Sequence, residues 1–207
     1  MPADSVEDAL FAEHLVRGEL DAAAAVLLRT YGSEVYRFLL NKVRDAAMAD
    51  DAYSRFAESV WLSLEGFERR SSPRVWAYAI ALNAARQEAR AGRRRDARFL
   101  AWTTSAACGA AAHARTQTVE YLRTQNRERI DELRDELPDA DRELLLLRVR
   151  EGFSWDHIAE LLGDTGAAGK QDRAKESARL RKRFQLIKDR LREAAIARGI
   201  VPPKDEG

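Results

Sequence analysis

EGFSWDHIAELLG, residues 151–163, and KESARLRKRFQLIKDRLR, residues 175–192, together decide how this chain folds. The first stretch opens on a turn at Glu151-Gly152-Phe153, offers Ser154 as the N-cap of a short helix through Leu162, and stops at Gly163. His157 takes the N3 position, where a capping box prefers Glu or Gln. In the second stretch Leu180, Phe184, Ile187 and Leu191 recur at i, i+4, i+7 and i+11, within about 60° of one another on an α-helix. That face is expected to pack on Leu144 to Leu147, Ile158 and Leu161. Lys175, Arg179, Lys182 and Gln185 fall on the opposite side, with Arg181 at its edge. A short helix, a Gly-containing turn and a longer basic helix have the outline of a helix-turn-helix, whose second helix enters the DNA major groove. Arginine and lysine suit that place because they neutralise phosphates and donate to guanine O6 and N7. A solvated charged helix in an ordinary bundle satisfies the same pattern.

Working upstream, Asp141 to Arg150 reads as a helix around Leu144 to Leu147 and Val149, and Pro138-Asp139 separates it from a charged helix over Asn126 to Leu137. Ala101 to Thr118 is rich in Ala, Thr, Gly and Ser and almost lacks large apolar residues, so it reads as a linker. Val75 to Arg90 is a helix expected to bury Trp76, Ile80 and Ala84, running into Arg93-Arg94-Arg95. Glu68 to Pro73 is a charged loop. Phe56, Val60 and Leu64, with Trp61 beside them, define a helix ending near Gly66, preceded by a turn and new N-cap within Asp45 to Asp51. Residues 8–31 read as a helix. Tyr31-Gly32-Ser33 is expected to break it before a second helix carrying Val35, Phe38, Leu39 and Val43. The expected fold is therefore all-α: two small helical domains, 8–98 and 125–198, joined by a flexible linker over 99–124, the C-terminal domain a helix-turn-helix.

Composition agrees with this class. The 207 residues are 45% hydrophobic and 33% charged, with 11 Gly and 5 Pro, a mixture that favours helices and can support two small cores. The net charge of +1 conceals an uneven distribution. Residues 86–98 hold six Arg against two acids (+4) and residues 169–192 hold ten Lys or Arg against three acids (+7), so the remainder sums to −10. Cys108 is the single cysteine, which excludes an internal disulfide, and His14, His113 and His157 have no zinc-site spacing. No metal or cofactor is implied. The acidic residues among the first thirty fit neither a secretory signal nor a membrane span, so a cytoplasmic protein is expected. No nucleophile with its base, metal set or phosphate loop is present, and an enzyme is not expected.

Leu137-Pro138, Arg142, Leu144 to Leu147 and the run Glu151 to Gly163 resemble the domain of bacterial RNA polymerase sigma factors, of the extracytoplasmic-function type, that binds the −35 promoter element. Leu180, Arg183, Ile187, Leu191 and Arg192 are similar to the cadence of its recognition helix. The segment Asp164 to Lys175, with Gly166 and Gly169, is longer than the family's turn, so either the turn is expanded or the recognition helix starts early. Lys175, Arg179, Arg181 and Lys182 are the implied −35 contacts. The N-terminal half resembles the family's domain for the −10 element and the polymerase clamp. Tyr31, Val35, Tyr36, Arg37 and Phe38 fit its opening helix, and Ala49-Asp50-Asp51, Phe56 and Trp61 fit its clamp-binding helix loosely, because Ser54 and Arg55 stand where the family has Gln and an acid. Asp50, Asp51, Ser54, Arg55 and Glu58 are the implied polymerase contacts.

Trp76, Tyr78, Ile80, Ala81 and Asn83 resemble the segment that helps hold a base extruded from the non-template strand, with Ala79 in place of the family's arginine. An amide can pair with a base edge once stacking is lost. The resemblance implies Asn83 for that role, Arg69, Ser71 and Arg74 from the preceding loop, and Arg86 and Arg90 as further −10 contacts. Trp61 and Trp76, among apolar helical neighbours, read as core residues and not as stacking platforms. The Arg93 to Arg95 cluster fits a helix end favoured by the dipole and a phosphate contact at once. Implied partners are core RNA polymerase and promoter DNA, with an anti-sigma factor as a further one; no membrane is involved. A helix-turn-helix regulator acting without polymerase needs only the C-terminal domain, and a helical protein-interaction module needs neither DNA contact.

Overall fold

A computed structural model describes residues 5–100, 132–163 and 170–202, with side chains except at 93–100 and 170, and among them every regular element is helical. The linker expected beyond Leu100, the helix expected from Asn126 as far as Asp131, the turn residues 164–169, Cys108, His113 and the side chains of Arg93 to Arg95 lie outside that description. The chain divides into two compact units, Met1–Thr104 and Ser105–Gly207.

In the first unit α1 spans Val6–Val16, α2 Leu20–Val43, α3 Ala46–Ser63 and α4 Pro73–Leu100, with a 3-10 turn Leu64–Gly66 after α3. Ser5 caps α1 by accepting from the Asp8 amide, and Asp45 caps α3 by accepting from the Met48 amide. Val35, Phe38, Leu39, Phe56, Val60, Tyr78 and Leu82 close the core among these helices. Each such side chain contributes about 1.5–3 kcal/mol by leaving water.

The break expected at Tyr31-Gly32-Ser33 is corrected: α2 runs through it, and the chain turns earlier, at Gly18, whose φ of +72° an L side chain resists. Gly32 serves packing. A Cβ there would lie 2.6 Å from the Tyr53 hydroxyl of α3, so the missing side chain lets the two helices approach. The buried face of α4 also differs from expectation. Val75, Ala77, Tyr78, Ala81, Leu82 and Ala85 are buried with Ala84, whereas Trp76 and Ile80 are half-buried.

In the second unit helical residues 132–135 precede α5 (Asp139–Leu145), which passes into a π-type turn Leu146–Arg150; α6 spans Trp155–Leu162 and α7 Lys170–Ala197. Ser154 caps α6 by accepting from the His157 amide at 3.2 Å. Leu144, Leu147, Phe153, Ile158, Leu161, Leu180 and Ile187 form the core, with Phe184 edge-on to Trp155 at 5.3 Å. Val149, placed among the helix's apolar positions from sequence, is 65% exposed, because the wider π-type turn carries it outward.

Candidate nucleic-acid and polymerase interface

Helix α4 carries one outer stripe. Trp76, Asn83 and Arg90 follow at seven-residue intervals, so each stands about 10.5 Å further along nearly the same line, flanked by Arg86 and Gln87. Asn83, Arg86, Gln87 and Arg90 are exposed. Trp76 is half-buried, with Phe67 against one side at a ring distance of 4.9 Å. The expectation of a core Trp76 is corrected to a half-buried one: Phe67 packs against it, and it lies on the same stripe as Asn83, two turns before it. An amide, an indole and guanidinium groups on one stripe can pair with a base edge, stack on a base and neutralise phosphates. Gln87 escaped sequence reading, although its spacing from Asn83 and Arg90 puts it on the same face.

The loop before α4 places Arg69 exposed and Ser71 half-buried. Arg69 has a left-handed backbone, φ +54°. Arg70 pairs with Glu68. Arg74 is differently employed: its Nε donates to Glu34 at 3.0 Å and its guanidinium lies 5.4 Å from the centre of the Tyr78 ring. Tyr78 also donates to Glu34, at 2.8 Å. Arg74 therefore ties the start of α4 to α2 more than it extends toward a ligand.

On α3, Asp50, Asp51, Ser54 and Glu58 are exposed. Asp50 accepts from the Tyr36 hydroxyl at 2.7 Å, which raises the Tyr36 phenol above its ordinary value. Arg55 turns away from this face, and its Nε donates at 2.7 Å to Glu88, a buried carboxylate of α4. Trp61, expected in the core, is 46% exposed, and Leu62 is 79% exposed. Both extend the outer face of Asp51, Ser54 and Glu58 by one turn. Acidic groups flanking two uncovered apolar side chains suit a protein surface with basic and apolar groups, not DNA.

In the second unit α7 begins at Lys170, so the basic helix starts early. Lys175, Arg179, Arg181, Lys182 and Gln185 are all exposed opposite Leu180 and Ile187, as the spacing requires. Lys175 and Arg179 make loose pairs on their own helix, with Asp172 at 3.8 Å and Glu176 at 3.4 Å. Such exposed pairs contribute little and yield readily to a phosphate. Arg183 is held instead at 2.6 Å by Asp141, a buried carboxylate of α5, so this arginine of the cadence fixes the helix. Ser177 donates to Asp156 at 2.7 Å, joining the two helices of the motif directly.

Among the described residues no cluster of His, Cys, Asp or Glu is placed to hold a metal ion, and no helix is long and apolar enough to cross a membrane. The family model for sigma-70 region 2 matches residues 27–95, from within α2 to within α4. Among solved structures, the chain is similar to the sigma factor RpoE of Bartonella quintana, crystallised with the anti-sigma factor NepR. Identity is 17% and the TM-score 0.48, over 78% of this chain and 94% of that one. Comparison with curated proteins returns no match.

Proposed function

We propose that this chain, whose residues 27–95 match the model of sigma-70 region 2, is a bacterial sigma factor of the extracytoplasmic-function type that directs core RNA polymerase to promoters. The observation that carries this reading is the region 2 match on the unit whose α4 lines up half-buried Trp76 with exposed Asn83 and Arg90. The −10 element then meets α4 and the loop before it, with Asn83 and Arg69 facing an extruded base and Arg86 and Arg90 the backbone. Helix α7 meets the −35 element through Lys175, Arg179, Arg181 and Lys182. The outer face of α3 meets the polymerase clamp through Asp51, Ser54 and Glu58, to which the geometry adds Trp61 and Leu62. The expected domains, 8–98 and 125–198, supply one DNA contact each. Each contact alone is weak, and holding both on polymerase raises the effective concentration of the second. The chain supplies recognition while bond formation stays with polymerase, so it is not itself an enzyme. It works in the cytoplasm, where an anti-sigma factor covering these same faces would silence it.

The test is an electrophoretic shift with promoter fragments, with and without core polymerase. Binding that requires core supports the proposal. Equal binding by the free chain would identify a polymerase-independent regulator, and no binding in either lane an interaction module.

A further inference from the structure

The loop between α3 and α4 is short and pinned at both ends. At its start the Phe67 amide donates to the Leu64 carbonyl at 3.1 Å; at its end the buried Ser72 accepts the Val75 amide on its hydroxyl at 3.3 Å and the Trp76 amide on its carbonyl at 3.0 Å. Between these pins Glu68, Arg69 and Arg70 are exposed, and Arg69 holds its left-handed backbone. A left-handed conformation at a non-glycine residue persists only where the surroundings fix it.

Those surroundings include a helix outside the matched region. Phe11 of α1 is 1% exposed and stands edge-on to Phe67, centroids 5.5 Å apart; Phe67 in turn leans on Trp76 at 4.9 Å. Helix α1 is itself locked down, since its buried Asp8 accepts from the Tyr31 hydroxyl of α2 at 2.7 Å. A continuous line of rings thus runs from α1 through the first anchor of the loop to the indole of Trp76, on the α4 stripe that carries Asn83. Rings at such distances interact beyond their burial and resist independent movement.

We infer that Phe11 is a positioning residue: through Phe67 it holds the Glu68–Ser72 loop and the Trp76 ring in the geometry that receives an unpaired promoter base. This rests on the −10 reading given above. Phe11 touches no DNA, and its action is to keep a receiving site formed before the base arrives, so that little ordering is left to occur on binding.

The test uses the full chain assembled with core polymerase and, as probe, single-stranded non-template oligonucleotides that this holoenzyme enriches from a random pool. Phe11→Ala is expected to weaken oligonucleotide binding about tenfold and leave affinity for core polymerase within about twofold, with Phe11→Leu, which keeps apolar volume, recovering most of the loss. Hydrogen exchange should quicken at residues 67–76 in Phe11→Ala while the amides of α3 keep their protection. Asn83→Ala separates the layers. If Asn83→Ala weakens the oligonucleotide and a folded Phe11→Ala does not, the brace is overturned and the base-capture reading stands. Should neither variant weaken it, both are overturned. Loss of core affinity in parallel with oligonucleotide affinity, or faster exchange throughout the unit, would mean that Phe11 is only a core residue.

Discussion

The fold raises the titration of the Tyr31 phenol. Burial first, and the Asp8 carboxylate second, push its phenol well above the ordinary value near 10. Below about pH 10 the phenol is protonated in folded and unfolded chains alike, so its contribution is complete. Above that pH the unfolded chain releases the proton while the folded one keeps it, and stability falls by up to about 1.4 kcal/mol per pH unit. Tyr31→Phe should cost about 1–3 kcal/mol at neutral pH, because buried Asp8 loses its donor. The gap between wild type and variant should then shrink above pH 10 in denaturant titrations; a gap that stays constant to pH 11 would deny the link. In the other unit the buried carboxylate of Asp141 receives Arg183 at 2.6 Å and Arg190 at 3.7 Å. Removing one partner of such a group costs more than the pair itself contributes.

Helices α2 and α3 meet at Gly32 and Tyr53. An alanine in place of a helical glycine ordinarily gains about 1 kcal/mol, but here the new methyl meets the Tyr53 hydroxyl, in a ring held edge-on by Tyr36 at 5.5 Å. Gly32→Ala should therefore destabilise the N-terminal unit by about 1 kcal/mol, and the same change in a Tyr53→Phe background should stabilise it, because the oxygen in the way is gone. Thermal melting of the four proteins of this cycle checks the sign; additivity would mean that the helices do not touch there. Helix α7 carries a second expectation. Arg179→Ala with Lys182→Ala should lower the salt slope of −35 duplex binding by about two, measured as log affinity against log salt with core present. An unchanged slope would separate this face from phosphate. Features set by neighbours in the chain were legible beforehand: the Ser154 cap, the Leu180 to Leu191 stripe and the exposed side of α7 all follow from spacing. What escaped depends on distant partners. Gly32 resembles a turn signal until Tyr53 is placed against it. Arg55 and Glu88 are 33 residues apart and Arg183 and Asp141 are 42 apart, so which arginines face solvent could not be read from either sequence neighbourhood. Trp61 and Trp76 look like core residues because aromatic rings usually are, and only the helix packing leaves Trp61 exposed and Trp76 half-buried.

For the molecule as a whole, charge placement matters more than its sum. A net +1 gives little general attraction to DNA, yet residues 86–98 and 169–192 hold +4 and +7, one cluster in each compact unit. On the proposed function, two such contacts, each weak alone, become selective when core polymerase holds both. That dependence makes the starts chosen by polymerase the most direct readout. Core polymerase should be supplied with fragmented genomic DNA, with and without the purified chain, and the 5′ ends of the transcripts mapped. Starts that arise only with the chain, preceded by one shared pair of −10 and −35 sequences, are the expected result; identical starts in both reactions would contradict promoter direction by this protein.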